Sequence, residues 1–200
     1  MNMQKKRIAV FGAGGHGKVV VDAIERNAGL EVACVADDSP QPGATLLGHA
    51  VADGREALLS RRDVIDGVIV AIGDNRVRME VARWLAAQGF ELQCVVHPAA
   101  AVAPSAVIGA GTLVMPGAVV NAEARIGDNA IINTGAIVEH DCEVDAGVHV
   151  APGAVLCGGA CVGAGTLVGA GAVVLPGVKV GAALLVKAGT VVTRNMEKED

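Results

Sequence analysis

The chain has 200 residues, of which 52% are hydrophobic but only 2% aromatic, and a formal net charge of −5. That length admits one large or two small domains. The acidic balance and the scarcity of aromatic rings argue against nucleic acid as a partner, since it calls for a basic face and stacking platforms.

Arg7 to Phe11 reads as a buried parallel strand and runs into Gly12-Ala13-Gly14-Gly15-His16-Gly17. A helix is expected over 19–27, stopping near Gly29, and a second strand over 31–36, closing on Asp37-Asp38. A short helix over 55–60, a third strand over 68–72, a long helix over 76–88 and a last strand over 92–96 follow. Strands that alternate with helices in this way predict a small parallel sheet. The apolar opening after Lys5-Lys6-Arg7 is too short for a secretion signal and fits the first strand better. His97-Pro98 begins the passage to the next part, which divides the chain into residues 1–97 and 98–200.

Gly12-x-Gly14-x-x-Gly17 follows a strand, opens a helix and has an acid about twenty residues later, the context of a dinucleotide fingerprint. Such glycines let the backbone approach a pyrophosphate, which a helix N-terminus favours electrostatically. The half-sized sheet has no second nucleotide-binding half and no hydride-transfer domain, so a nucleotide-linked sugar is the better ligand than NAD. The bland alternative is a structural glycine turn. Asp37 and Asp38 end a strand where ligands bind in such sheets, which favours base or ribose recognition over a simple turn role.

From Val102 to Val192 every sixth residue is aliphatic, with no break in register. Small or modest residues such as Ala118, Ala136, Cys142 and Ala160 recur four places after each. A fixed short period of this kind marks a β-solenoid. Three hexapeptides make one triangular coil of eighteen residues, so residue n lies directly below n+18. On that ruler His140 and Asp141 fall at an outward corner, with Gly158 one coil above His140; Ala170 and Ala188 stack at one corner and could line a groove. The uncharged stretch 150–178 is apolar enough to suggest a membrane span. Its many glycines, Pro152 and Pro176 argue against a helix, so no membrane insertion is expected. Five cysteines without a CxxC pair suit a reducing compartment, hence the cytoplasm, and offer no zinc site.

The GAGGHGKVVVD run at 12–22, the Asp37-Asp38 pair, AIGDN at 71–75, the His-Pro junction and Glu139-His140-Asp141-Cys142 together carry a resemblance. The sequence resembles the sugar acyltransferases of the PglD and NeuD type, which include bacillosamine and perosamine N-acetyltransferases. The resemblance implies an α/β, Rossmann-like N-terminal domain followed by a left-handed parallel β-helix of hexapeptide repeats. It implies His140 as proton acceptor with Asp141 raising its basicity. It also implies nucleotide-sugar contacts at Gly14, Gly15, His16, Asp37, Asp38 and Gly73, to which the fingerprint adds Gly12. Acetyl-CoA contacts fall on His149, Ala170 and Ala188. The family pattern closes with a Gly-Val-Pro-Ala-Lys-like segment, whereas this sequence reads Glu197-Lys198-Glu199-Asp200, so the resemblance leaves that part of the coenzyme's covering unaccounted for.

The residues support the same positions on chemical grounds. A carboxylate beside an outward imidazole can fix its tautomer and stabilise the imidazolium. Glycine at 158 is expected to leave room for an acetyl group, with a backbone N–H as oxyanion donor. The expectation is therefore an acetyl-CoA-dependent N-acetyltransferase for the 4-amino group of a nucleotide-linked deoxy sugar. Transfer is direct and metal-free, since no serine or cysteine is clearly paired with His140. A homotrimer is expected, because a corner site needs a second wall and an apolar prism face is costly to expose. The rivals are a sugar O-acetyltransferase of the sialic acid type, which would not need the nucleotide pocket, and a non-catalytic nucleotide-sugar scaffold.

Overall fold

The computed structural model describes residues 4–197; the expectation about Lys198 to Asp200 lies outside the described residues. Contacts divide the chain after Pro98, into Met1–Pro98 and Ala99–Asp200.

In the first unit β1 (Lys6–Phe11) pairs in parallel with β2 (Leu30–Asp37) on one side. On its other side it pairs in parallel with the third of the expected strands, Gly67–Val70. Ile8, Ala9, Val10 and Phe11 are all buried, as a central strand covered on both faces requires. The core of one face gathers Phe11, Leu58, Val70, Val81, Leu85 and Phe90.

Two local expectations are corrected, and one element is added. Helix α1 spans Gly15–Glu25 and so begins four residues before the expected Val19. Glycine is a poor helix interior residue, but at this helix start Gly17 has no room for a side chain against the Gly12 carbonyl. Between the second expected strand and the short helix, β3 (Thr45–Leu46) and β4 (His49–Asp53) form an antiparallel edge hairpin joined to β2. Leu47 (φ 47°) and Gly48 (φ 87°) make its two-residue turn, a positive-φ pair that hairpins favour and that leucine conceals. The strand Gly67–Val70 is thus β5. The long expected strand over 92–96 reduces to a bridge from Leu92 to Val68 and a two-residue strand, Val95–Val96. Helices α2 (Glu56–Leu59) and α3 (Asn75–Ala87) lie close to their expected places. Asp74 caps α3 by accepting from the Val77 N–H at 2.8 Å.

The second unit is a triangular solenoid of two-residue strands. Its first face stacks the strands at Ala101–Val102, Val119–Val120, Ile137–Val138, Val155–Leu156, Val173–Val174 and Val191–Val192. The second face stacks Val107–Ile108 to Lys179–Val180, and the third includes Leu113–Val114 to Leu185–Val186. Every pairing is parallel with an offset of eighteen residues, so the ruler holds without a slip. In each pair the second residue points inward: Val120, Val138, Leu156 and Val174 are at most 1% exposed. Small inward residues such as Ala118, Ala136, Cys142 and Ala160 fill the space beside each corner, and all are fully buried. After Val192 the chain adds one more bridge, Met196 to Val180, beyond the last expected hexapeptide.

Candidate active site

Turns at 140–141 and 158–159 sit on the edge between the first and second faces. His140 lies there with its side chain 64% exposed, and its Nδ1 is 2.7 Å from Asp141 Oδ2. Asp141 has φ 58°, a left-handed conformation that the next coils give to Gly159 and Gly177. Placing a carboxylate where the coil favours glycine costs backbone energy, and such positions cluster at functional sites. The hydrogen bond to Asp141 raises the His140 pKa above its ordinary value, against a smaller lowering by desolvation. With Nδ1 held by the carboxylate, Nε2 is the nitrogen left to take a proton.

Glu139, the other acid beside His140, turns elsewhere: its Oε2 accepts from Asn121 Nδ2 at 2.8 Å, one coil below. Gly158 stacks above His140 as the ruler requires, and the Gly159 N–H donates to the His140 carbonyl at 2.9 Å. The expected space at Gly158 is not left for a ligand. A Cβ there would stand 2.6 Å from both Cε1 and Nε2 of His140, so the imidazole itself fills the gap. Glycine at 158 therefore seats the ring against the coil above. The Gly158 N–H stays outside the coil-to-coil ladder, in which Cys157 donates to Val174 and Gly159 to His140.

The other residues expected to meet acetyl-CoA lie on different parts of the prism. His149 points outward from the third face, aligned between Ile131 and Leu167. Its Nε2 is 3.0 Å from Asn133 Nδ2, an amide nitrogen that can donate to it. Ala170 and Ala188 are exposed on the edge between the third and first faces, one coil apart, with the Gly189 N–H donating to the Ala170 carbonyl. One copy of the solenoid brings together His140, Asp141 and Gly158, and places His149, Ala170 and Ala188 elsewhere.

In the first unit the glycine loop joins β1 to the N-terminus of α1, with Gly14 as N-cap. Gly12 has φ 114°, and a Cβ there would lie 2.8 Å from the Ala71 carbonyl oxygen. At Gly17 it would lie 2.3 Å from the Gly12 oxygen, so both glycines are demanded by close packing. Gly14, Gly15 and Gly73 instead face open space, with nothing within 4 Å of a would-be Cβ. That open rim is where an anion could reach backbone N–H groups.

Asp37, expected to read the base or ribose, is engaged by the backbone. Its Oδ2 accepts from the Ala13 N–H at 2.8 Å and its Oδ1 from the Ser39 N–H at 3.0 Å. It clamps the glycine loop to the end of β2. Asp38 is exposed and lies 3.3 Å from Arg55 Nε, whose guanidinium stacks over Trp84 at 5.0 Å. Burial, with Arg78's charge adding, pushes the His16 imidazole down to about 4, so this ring is neutral at physiological pH. His97 is buried and His49 Nε2 lies 2.8 Å from Glu25 Oε1.

Sequence reasoning missed Asn121, Asn133 and Arg78. The two asparagines carried a signal, since each directly follows an inward aliphatic residue and must lie at the approach to a corner. Arg78 carried none, because a buried arginine in a helix looks like any surface arginine in one dimension.

A carboxylate-backed imidazole on the edge of a hexapeptide solenoid, in a chain that also carries a glycine-loop α/β sheet, defines an acyltransferase of the hexapeptide class. Residues 7–85 match the PglD N-terminal domain family, and residues 123–158 match the bacterial transferase hexapeptide family of six repeats. The perosamine N-acetyltransferase of Caulobacter crescentus, solved in complex with CoA and GDP-perosamine, is 41% identical with a TM-score of 0.90. That match covers 96% of this chain and 91% of the other, and the same enzyme has been solved with a histidine replaced by asparagine or alanine. The acetyltransferase domain of PglB from Neisseria gonorrhoeae, in complex with acetyl coenzyme A, is 36% identical with a TM-score of 0.89, over 96% of this chain and 93% of that one. UDP-N-acetylbacillosamine N-acetyltransferase of Bacillus subtilis is 39% identical over 119 residues, which span 55% of this chain and about half (51%) of that relative. The chain belongs to the PglD-type family of nucleotide-amino-sugar N-acetyltransferases, and its solenoid is the left-handed parallel β-helix of that family. No helix among the described residues is long and apolar enough to cross a membrane.

Proposed function

We propose that the protein transfers the acetyl group of acetyl-CoA to the 4-amino group of a nucleotide-linked deoxy sugar. The observation that carries this is the His140–Asp141 pair at 2.7 Å with the ring seated over Gly158. As the amine attacks the thioester carbonyl, His140 Nε2 accepts the proton that the amine loses. Asp141 fixes the tautomer through Nδ1 and stabilises the imidazolium. The Gly158 N–H, outside the ladder, is the donor for the developing oxyanion. The thiolate of CoA leaves, and no covalent enzyme intermediate forms: Cys142 is buried, and burial pushes its thiol up to about 11. The nucleotide diphosphate meets the open rim of Gly14, Gly15 and Gly73 at the α1 N-terminus, with His16 and Asp38 beside it and Gly12 and Asp37 holding the loop.

The working unit in this reading is a homotrimer. His140, His149 and the Ala170–Ala188 column occupy different faces and edges of one prism, so a site that uses all of them draws on a second copy. The first face supports the same reading, because its outward column Val119, Ile137, Val155, Val173 and Val191 is aliphatic throughout and Val191 is 58% exposed. A reducing, cytoplasmic setting accords with five free cysteines. The deciding experiment is thiol release from acetyl-CoA with UDP-, GDP- and dTDP-linked 4-amino sugars. Wild type should turn over one of them and His140→Ala should lose about 10²- to 10⁴-fold in kcat. A folded His140→Ala variant with near wild-type turnover defeats the assignment.

A further inference from the structure

Arg78 is fully buried, at 0% exposure, in the first turn of α3. Arginine is seldom found there unless its donors are used. Its Nη1 donates to the carbonyls of Ile72 at 3.1 Å and Gly73 at 3.2 Å, and its Nη2 donates to Asn75 Oδ1 at 2.8 Å. These carbonyls end the segment that leaves β5 at the C-terminal edge of the sheet. The same segment lies against the glycine loop, since a Cβ on Gly12 would stand 2.9 Å from Ile72 Cγ1 as well as 2.8 Å from the Ala71 oxygen. A shift of Ala71 or Ile72 is therefore passed to Gly12.

We infer that Arg78 is a positioning residue for the nucleotide: from inside the domain it captures the two carbonyls that follow β5, so that a diphosphate meets N–H groups and a buried positive charge at the rim instead of carbonyl oxygens. This rests on the nucleotide-sugar reading above and adds to it a residue that no ligand touches. Two loops meet at the rim, and each has a source of positive potential. One is the N-terminus of α1, with its unused N–H groups. The other is the guanidinium, whose Nη1 holds both carbonyls while Nη2 is anchored on Asn75. Its charge also reaches His16, where it adds to burial in keeping that ring neutral beside the proposed anion.

The test uses the full chain as wild type, Arg78→Met, Arg78→Lys and Asn75→Ala. Calorimetry gives the affinity for GDP and for UDP, and steady-state assays give the constants for the amino-sugar nucleotide that wild type accepts. Arg78→Met is expected to weaken nucleotide binding and raise the sugar-nucleotide KM by ten- to a hundredfold, the scale of a loop misplaced by about 1 Å. The KM for acetyl-CoA should change less than about twofold, because the β-helix is untouched. Lysine should recover part of the loss, and Asn75→Ala should cost a few-fold, as it removes one anchor of the guanidinium. By NMR titration the His16 pKa should rise from about 4 in the methionine variant, yet stay below its ordinary value because burial is the larger cause. A folded Arg78→Met protein with wild-type nucleotide affinity overturns the inference, as does an equal rise in both KM values. Where that variant does not fold, unchanged affinity in Asn75→Ala overturns it instead. A wild type that binds GDP or UDP but never releases thiol would refute the acetyltransferase reading and leave the role of Arg78 to be judged on affinity alone.

Discussion

Gly158→Ala separates the chemistry of the imidazole from the stability of the coil. Gly158 is not among the glycines with positive φ, unlike Gly159, so alanine meets no backbone penalty. Its new methyl would arrive 2.6 Å from Cε1 and Nε2 of His140, whereas ordinary contact begins at 3.4 Å. The ring must therefore retreat by about 0.8 Å, and a side chain 64% exposed can do so without disturbing the core. Such a retreat breaks the alignment of Nδ1 with Asp141, now 2.7 Å, and carries Nε2 away from the acceptor amine. Misplacement of about 1 Å at a reacting group costs on the order of 10²-fold. The expected outcome is a kcat about a hundredfold lower at saturating acetyl-CoA, with a melting temperature within about 2 °C of wild type, since surface changes usually alter stability by less than about 0.5 kcal/mol. A kcat within twofold of wild type would refute the seating of the ring by this glycine.

The pH profile follows from the sign of the His140 shift. The base works only when deprotonated, and Asp141 raises its pKa, so kcat/KM should climb through an inflection above the ordinary histidine value of about 6.5. Asp141→Asn should move that inflection to lower pH and also lower the plateau; an unmoved inflection argues against the pair. Asp141→Gly relieves a left-handed non-glycine residue and should raise stability by up to about 1 kcal/mol while activity falls. Glu123→Gly, at the equivalent turn one coil below with φ 61°, should stabilise similarly and keep its kcat. Thermal melts beside turnover assays would expose a wrong assignment if both variants lost activity alike. Val155→Asp on the outward first face should convert a trimer to smaller species in light scattering, and a wild type that runs as a monomer would defeat the shared site.

Much of the solenoid is legible in one dimension. The inward residue of each short strand recurs every sixth place because each must fill the same narrow interior, and coils stack by eighteen because three strands close each turn. That arithmetic placed His140 and Asp141 at a corner, Gly158 above them and Ala170 beneath Ala188. That the two columns lie on different edges became plain only when the three faces were assigned. The sheet of the first unit was legible at β1, β2, β5 and α3. It was not legible at the edge hairpin, where two- and five-residue strands carry too few positions to show a period.

The site's inner contacts were not legible, and the reason is common to them. Glu139 also adjoins His140 in the sequence, but its carboxylate is drawn to Asn121 in the coil below. Asp37 appeared poised for a ligand, yet its carboxylate lies within reach of the Ala13 and Ser39 amides. Gly158 offered an empty volume, which the imidazole then occupied. Arg78, with nothing to mark it, became the buried anchor of the loop after β5. The sequence by itself determined the repeat, the register and the chemical types at each corner, because periodic burial is written along the chain. Tertiary structure alone decided which neighbour each polar group took, because hydrogen bonds of about 3 Å depend on rotamers and on chain segments that meet only after folding.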